Sequence, residues 1–115
     1  MGTVPSVDVG NTAEVAAYFD ALYLALSRSP THERIGREAL GEGYVGQLGF
    51  AGEPELFRLA ELAGMRPGRR VLDLCCGSCG VAQWYARVTG SQVTGLDCSA
   101  TALALGDRQD RKSVV

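Results

Sequence analysis

The sequence predicts an α/β protein in which a helical N-terminal cap precedes a small parallel sheet. Three observations point there. Apolar residues recur at helical spacing through most of the first 63 positions. Two short apolar runs, "RRVLDL" and "SQVTGLD", then break that period. A helix-patterned stretch separates the two runs, and strand, helix, strand makes them parallel neighbours joined by a right-handed crossover.

The elements follow in order. Residues 1–10 carry Pro5 and Gly10 without any period and read as a loop. Asn11 with Glu14 three positions on predicts a capping box, after which Val15, Phe19, Leu22 and Leu26 recur at steps of four, three and four. Ser29 and Pro30 end that helix and open the next, "THERIGREAL", which stops at Gly41. "GEGYVGQLGFAG" has five glycines in twelve residues, so it is a loop able to wrap a ligand. Glu53 and Pro54 open a third helix with Leu56, Leu59, Ala60 and Ala63 as its buried stripe, closed by Gly64 and Pro67. After the first strand, "GVAQWYARVTG" places Val81, Trp84, Tyr85 and Val88 on neighbouring helical positions, and Ser99 caps a final helix.

Composition narrows the function. With 115 residues, 46% hydrophobic and 21% charged, the chain suits a single globular domain. A net charge of -2 offers no basic footprint, so no nucleic acid is indicated as a partner. No apolar run approaches the roughly 20 residues of a membrane span. The start lacks the basic and apolar regions of a secretory signal, which makes the cytoplasm the expected location, where cysteines stay reduced.

The chemistry concentrates in "VLDLCCGSCG", Val71–Gly80. A parallel strand feeding a glycine-bearing turn and a helix is where α/β folds bind nucleotide-like ligands, at the carboxyl ends of the strands. The helix N-terminus supplies unpaired N–H groups there. About 20 residues later a second strand should end in an acid that takes ribose hydroxyls. Asp97 stands 20 positions after Gly77, on the right element.

Asp73 narrows the cofactor, because dinucleotide-binding strands usually stay apolar up to the first glycine. An apolar pair, an acid, an apolar residue and then a glycine-rich loop resembles motif I of the class I S-adenosylmethionine-dependent methyltransferases. It stands here as Val71, Leu72, Asp73, Leu74, Cys75, Cys76, Gly77, Ser78, Cys79 and Gly80, and "VTGLDCS" resembles the family's second motif. The resemblance implies a Rossmann-like parallel sheet, truncated after the second strand and preceded by an N-terminal helical cap. It implies S-adenosyl-L-methionine as cofactor, a small-molecule methyl acceptor and no metal.

By that resemblance Asp73 holds the cofactor's methionine amino group, and the backbone of Cys75, Cys76 and Gly77 passes its methionine and ribose portion. Asp97 takes the ribose hydroxyls, and Cys98 and Ser99 flank the adenine. The segment "AYFDALY" offers Tyr18 as an aromatic over the cofactor, and Gln47 of the glycine-rich loop is a further contact. Cysteines replace two motif glycines: Cys75 is readily accommodated, whereas Cys79 crowds the close packing of helix on strand. If either position needs positive φ, its side chain costs about 1–2 kcal/mol.

Three alternatives stand beside this reading. Cys76 and Cys79 form a C-x-x-C at a helix N-terminus, as in thioredoxin-like thiol-disulfide oxidoreductases. Cys75, Cys76, Cys79 and Cys98 are four thiols for zinc, but adjacent cysteines meet one tetrahedral ion poorly and His32 is remote in sequence. The third is a non-catalytic cofactor-fold domain used for binding. In outline, residues 1–68 form the loop and cap and 69–109 the first βαβα part of a methyltransferase domain. Residues 110–115, "DRKSVV", match the translation of a widely used sequencing adapter, so the natural chain is expected to continue beyond Gln109. Two strands alone leave a sheet edge and face uncovered.

Overall fold

The computed structural model describes residues 7–49 and 51–113, with side chains to Arg108. Of the segments predicted above, residues 1–6 of the first loop, Phe50 of the glycine-rich loop and residues 114–115 of the adapter-like tail lie outside the described residues. The order is α1 (Thr12–Ser27), α2 (Pro30–Leu40), a 3-10 turn (Gly41–Gly43), α3 (Glu53–Leu62), β1 (Arg70–Leu74), α4 (Gly80–Thr89), β2 (Gln92–Leu96) and α5 (Ala100–Ser113).

The capping residues act largely as their chemistry requires. Asn11 Oδ1 accepts the Ala13 and Glu14 amides at 3.1 and 3.3 Å. The second half of the expected box differs, because Glu14 reaches past the cap to the Asp8 amide at 3.1 Å. Ser29 Oγ accepts the His32 amide at 3.2 Å, and Pro30 begins α2 where no N–H is needed. At α3 the Glu55 carboxylate accepts the Gly52 amide at 3.0 Å.

β1 and β2 pair in parallel, with Val71 opposite Val93, Asp73 opposite Gly95 and Leu74 opposite Leu96. Strand periodicity sends alternate side chains to opposite faces. Val93 packs against a core built from Leu56 and Ala60 of α3 and Trp84 and Tyr85 of α4. Phe57 meets Trp84 edge-on at 4.9 Å, and Tyr85 Oη donates to the Leu56 carbonyl at 2.9 Å. The opposite face is open: Leu72, Leu74 and Leu96 are 57%, 65% and 57% exposed. That is the uncovered face expected of a two-stranded parallel sheet.

Two apolar stripes are narrower than their sequence pattern. On α3 only the Leu56–Ala60 line is buried, and Leu59 faces solvent, because one helix neighbour covers one ridge. On α4 Trp84 and Tyr85 are buried but Val88, near the helix end, is exposed. The glycine-rich loop crosses over the start of α4. A Cβ on Gly80 would collide with the Val45 carbonyl oxygen, so this position needs glycine for close backbone approach. α1 packs on α5, and its Asp20 and Tyr23 reach the segments that follow β2 and β1.

Candidate cofactor-binding site

The chain leaving β1 alternates between two backbone states. Cys75, Gly77 and Cys79 have φ of 59°, 58° and 63°, all in the left-handed region. Both motif positions that carry cysteine in place of glycine therefore hold the conformation that an L side chain resists. The loop is tethered at each end. The Cys76 amide donates to the Leu96 carbonyl at 3.1 Å, extending the sheet, and the Cys79 amide donates back to Cys76 at 3.0 Å to close a turn.

Asp97 gathers this loop and the start of α5. Its Oδ2 accepts the Gly77 amide at 2.8 Å, and its Oδ1 accepts the Ser99 amide at 2.8 Å. Each carboxylate oxygen keeps a further lone pair. Asp73, opposite Gly95 on the neighbouring strand, is half-buried and makes no side-chain hydrogen bond among the described residues. Burial, and then the nearby Asp97 charge, push its carboxyl above the usual range. Two acids at the strand ends thus form a mouth in which a ligand cation would relieve their mutual repulsion.

Two residues of "AYFDALY" not assigned to the site from the sequence complete the mouth. The Tyr23 hydroxyl lies directly over Gly77, in the space a side chain there would need. Burial first, and then Asp97, raise its phenol above the ordinary value. Asp20, on the same helix, accepts from Ser99 Oγ at 2.7 Å and from the Thr101 amide at 3.0 Å, locking α1 to the α5 N-terminus. The Ser99 hydrogen bond, followed by that of Thr101, holds the Asp20 carboxyl below its usual value. A signal for Tyr23 existed, since it follows Phe19 by four positions and so lies along the apolar stripe of α1.

The remaining candidates fall differently. Tyr18 is 43% exposed, with its ring edge-on to Phe19 at 5.3 Å, so Tyr23 is the α1 tyrosine at the loop. Gln47 spends its amide on its own loop. Its Nε2 donates to the Gly43 and Ala51 carbonyls at 2.9 and 3.0 Å, and its Oε1 accepts the Val45 amide at 2.7 Å. Cys75 and Cys98 are exposed at the mouth, and all four cysteines are free thiols. A cavity of about 600 Å³ adjoins the loop through Tyr23 and Ser78 and is lined further by Arg28, His32, Tyr44 and Arg108. Among the described residues no helix is long and apolar enough to cross a membrane.

No protein-family model matches the chain. Over 57 residues, 49% of its length, it is 44% identical to an uncharacterized methyltransferase of Synechocystis sp., of which this covers 26%. Over 46 residues, 37% of its length, it is 54% identical to the 2-phytyl-1,4-naphtoquinone methyltransferase of Synechococcus elongatus, of which this covers 20%. The chain thus spans about a quarter or less of these curated relatives. The crystal structure of geranyl diphosphate C-methyltransferase from Streptomyces coelicolor, in complex with S-adenosyl-L-homocysteine, superposes over 94% of the chain and 46% of that protein. The TM-score is 0.59 at 20% identity, a likeness of fold. The chain has a Rossmann-like α/β fold and resembles, in fold and in local sequence, the class I S-adenosylmethionine-dependent methyltransferases.

Proposed function

We propose that the chain is the cofactor-binding part of a cytoplasmic S-adenosylmethionine-dependent methyltransferase acting on a small molecule. One observation carries this reading: the Asp97 carboxylate, 20 residues beyond Gly77, grips the loop after β1 through the Gly77 amide at 2.8 Å. In this reading residues 1–68 are the loop and cap and 69–109 the first βαβα part of the domain.

The residues present fit the cofactor. The free lone pairs of Asp97 suit two ribose hydroxyls, and charge-assisted bonds of this kind are the strong ones. Asp73, half-buried and without a hydrogen-bond partner among the described residues, suits an ammonium group. Gly77, at φ 58° and without a Cβ, keeps the backbone close beneath the Tyr23 hydroxyl, and Cys98, exposed next to Asp97, suits the flank of the adenine. The Tyr23 hydroxyl shares the space over Gly77, so it either contacts the ligand or turns aside for it. When bound, S-adenosyl-L-methionine supplies a methyl group on a sulfonium. The protein's part is to align an acceptor nitrogen, oxygen or carbon with it, with a base needed only where the acceptor carries a proton. The cavity beside Tyr23 and Ser78 has the size of a small-molecule site, which supports a small acceptor.

Equilibrium dialysis of the full-length protein against radiolabelled S-adenosylmethionine tests this. Saturable binding that weakens at least tenfold in both Asp97→Ala and Asp97→Asn is expected. Equal binding by the variants would overturn the assignment. Saturable binding without methyl transfer in the full-length protein would favour a non-catalytic binding domain.

A further inference from the structure

The sulfurs of Cys76 and Cys79 lie 3.3 Å apart, and neither is used in the reading above. The Cys79 amide closes a turn on the Cys76 carbonyl, and a turn of this kind holds its end Cα atoms within about 7 Å, which is disulfide reach. Both side chains point to one side, towards Gly95 of β2. A Cβ on Gly95 would stand 2.6 Å from Cys76 Sγ and 3.0 Å from Cys79 Sγ, so the missing side chain makes room for the pair. Bonding needs the sulfurs to close to about 2.05 Å, a movement of little more than 1 Å. Cys75 and Cys98 are exposed and have no sulfur contact with this pair among the described residues.

We propose that Cys76 and Cys79 form a reversible disulfide, making the turn after β1 a thiol-redox site. The oxidant is a small disulfide such as oxidised glutathione. Burial first, and then the hydrogen bond with Cys79, push the Cys76 thiol up to about 12, so the first attack falls to Cys79. Its thiolate displaces one glutathione thiolate and forms a mixed disulfide. Cys76 then loses its proton to water and attacks Cys79 Sγ, releasing the second glutathione. Two protein thiols are oxidised and one glutathione disulfide is reduced to two thiols. The cross-link spans Gly77 and Ser78 and fixes the turn that carries the Gly77 amide. This inference stands independently of the cofactor assignment.

The test is to incubate the chain with oxidised glutathione, cap free thiols with N-ethylmaleimide and digest with trypsin without reductant. The peptide from Val71 to Arg87 is expected to be lighter by two hydrogens and to carry one maleimide, on Cys75. Dithiothreitol before capping should restore three maleimides. In Cys79→Gly, which suits the left-handed backbone there, Cys75 and Cys76 should both be capped. Three capped cysteines after oxidation, a bond that involves Cys75, or a bond persisting in Cys79→Gly would overturn the proposal.

Discussion

Asp20 Oδ1 accepts the Ser99 hydroxyl hydrogen at 2.7 Å, joining the middle of α1 to the N-terminus of α5 across 79 positions of sequence. Ser99 is fully buried, and its Oγ in turn accepts the Ala102 amide at 3.0 Å. One carboxylate therefore completes the cap of a helix from another part of the fold.

This contact has a pH signature. The hydrogen bonds hold the Asp20 carboxyl below its ordinary 3.8. Its contribution to stability is therefore present above that value and is lost as pH falls through the lowered one. Urea midpoints measured from pH 5 down to pH 2.5 should fall more steeply in the wild type than in Asp20→Asn, which keeps an acceptor but has no charge to lose. Parallel curves would remove Asp20 from the account.

The left-handed loop makes a second prediction. Cys75 is exposed, so Cys75→Gly relieves about 1–2 kcal/mol of backbone strain and gives back part of it as unfolded-chain entropy. A net gain of roughly 0.5–1 kcal/mol is expected in denaturant unfolding. Cys79→Gly relieves similar strain but also removes a sulfur packed against Gly95, so its effect should be close to neutral. The order of the two variants is the diagnostic, and a reversed order contradicts it.

Much of the fold could be read from the chain because its signals are local. The change of period at "RRVLDL" and "SQVTGLD", the helix starts marked by Asn11, Ser29 and Glu53, and the 20-residue step from Gly77 to Asp97 all depend on near neighbours. What could not be read depends on which ridge finds a partner. Leu59 and Val88 fit their stripes yet face solvent: on α3 the neighbouring helix covers only the line through Leu56 and Ala60, and Val88 lies near the end of α4. Tyr18 and Tyr23 are equally aromatic in sequence. Only the docking of α1 on α5 decides that Tyr23 overlies Gly77. The positive φ at Cys75 and Cys79 follows the glycine pattern of the loop and not the residues that occupy it.

Asp73 should separate stability from binding. Burial and the Asp97 charge raise its folded-state carboxyl, so its neutral form is favoured in the fold and stability falls as pH rises through that raised value. Asp73→Asn should therefore be slightly more stable at pH 7. The gain should stay under about 1 kcal/mol, because solvent still screens a group that is only half-buried. The same variant should bind S-adenosylhomocysteine several-fold more weakly, having lost the partner of its ammonium group. Lower stability together with unchanged binding would remove Asp73 from the site.

The most direct test of the cofactor site is nuclear magnetic resonance of the isotope-labelled full-length protein during titration with S-adenosylhomocysteine. The account predicts that the amides of Gly77 and Ser99, both bonded to Asp97, shift together and saturate along one binding curve. No saturable change at either amide, or changes confined to residues away from the ends of β1 and β2, would contradict it.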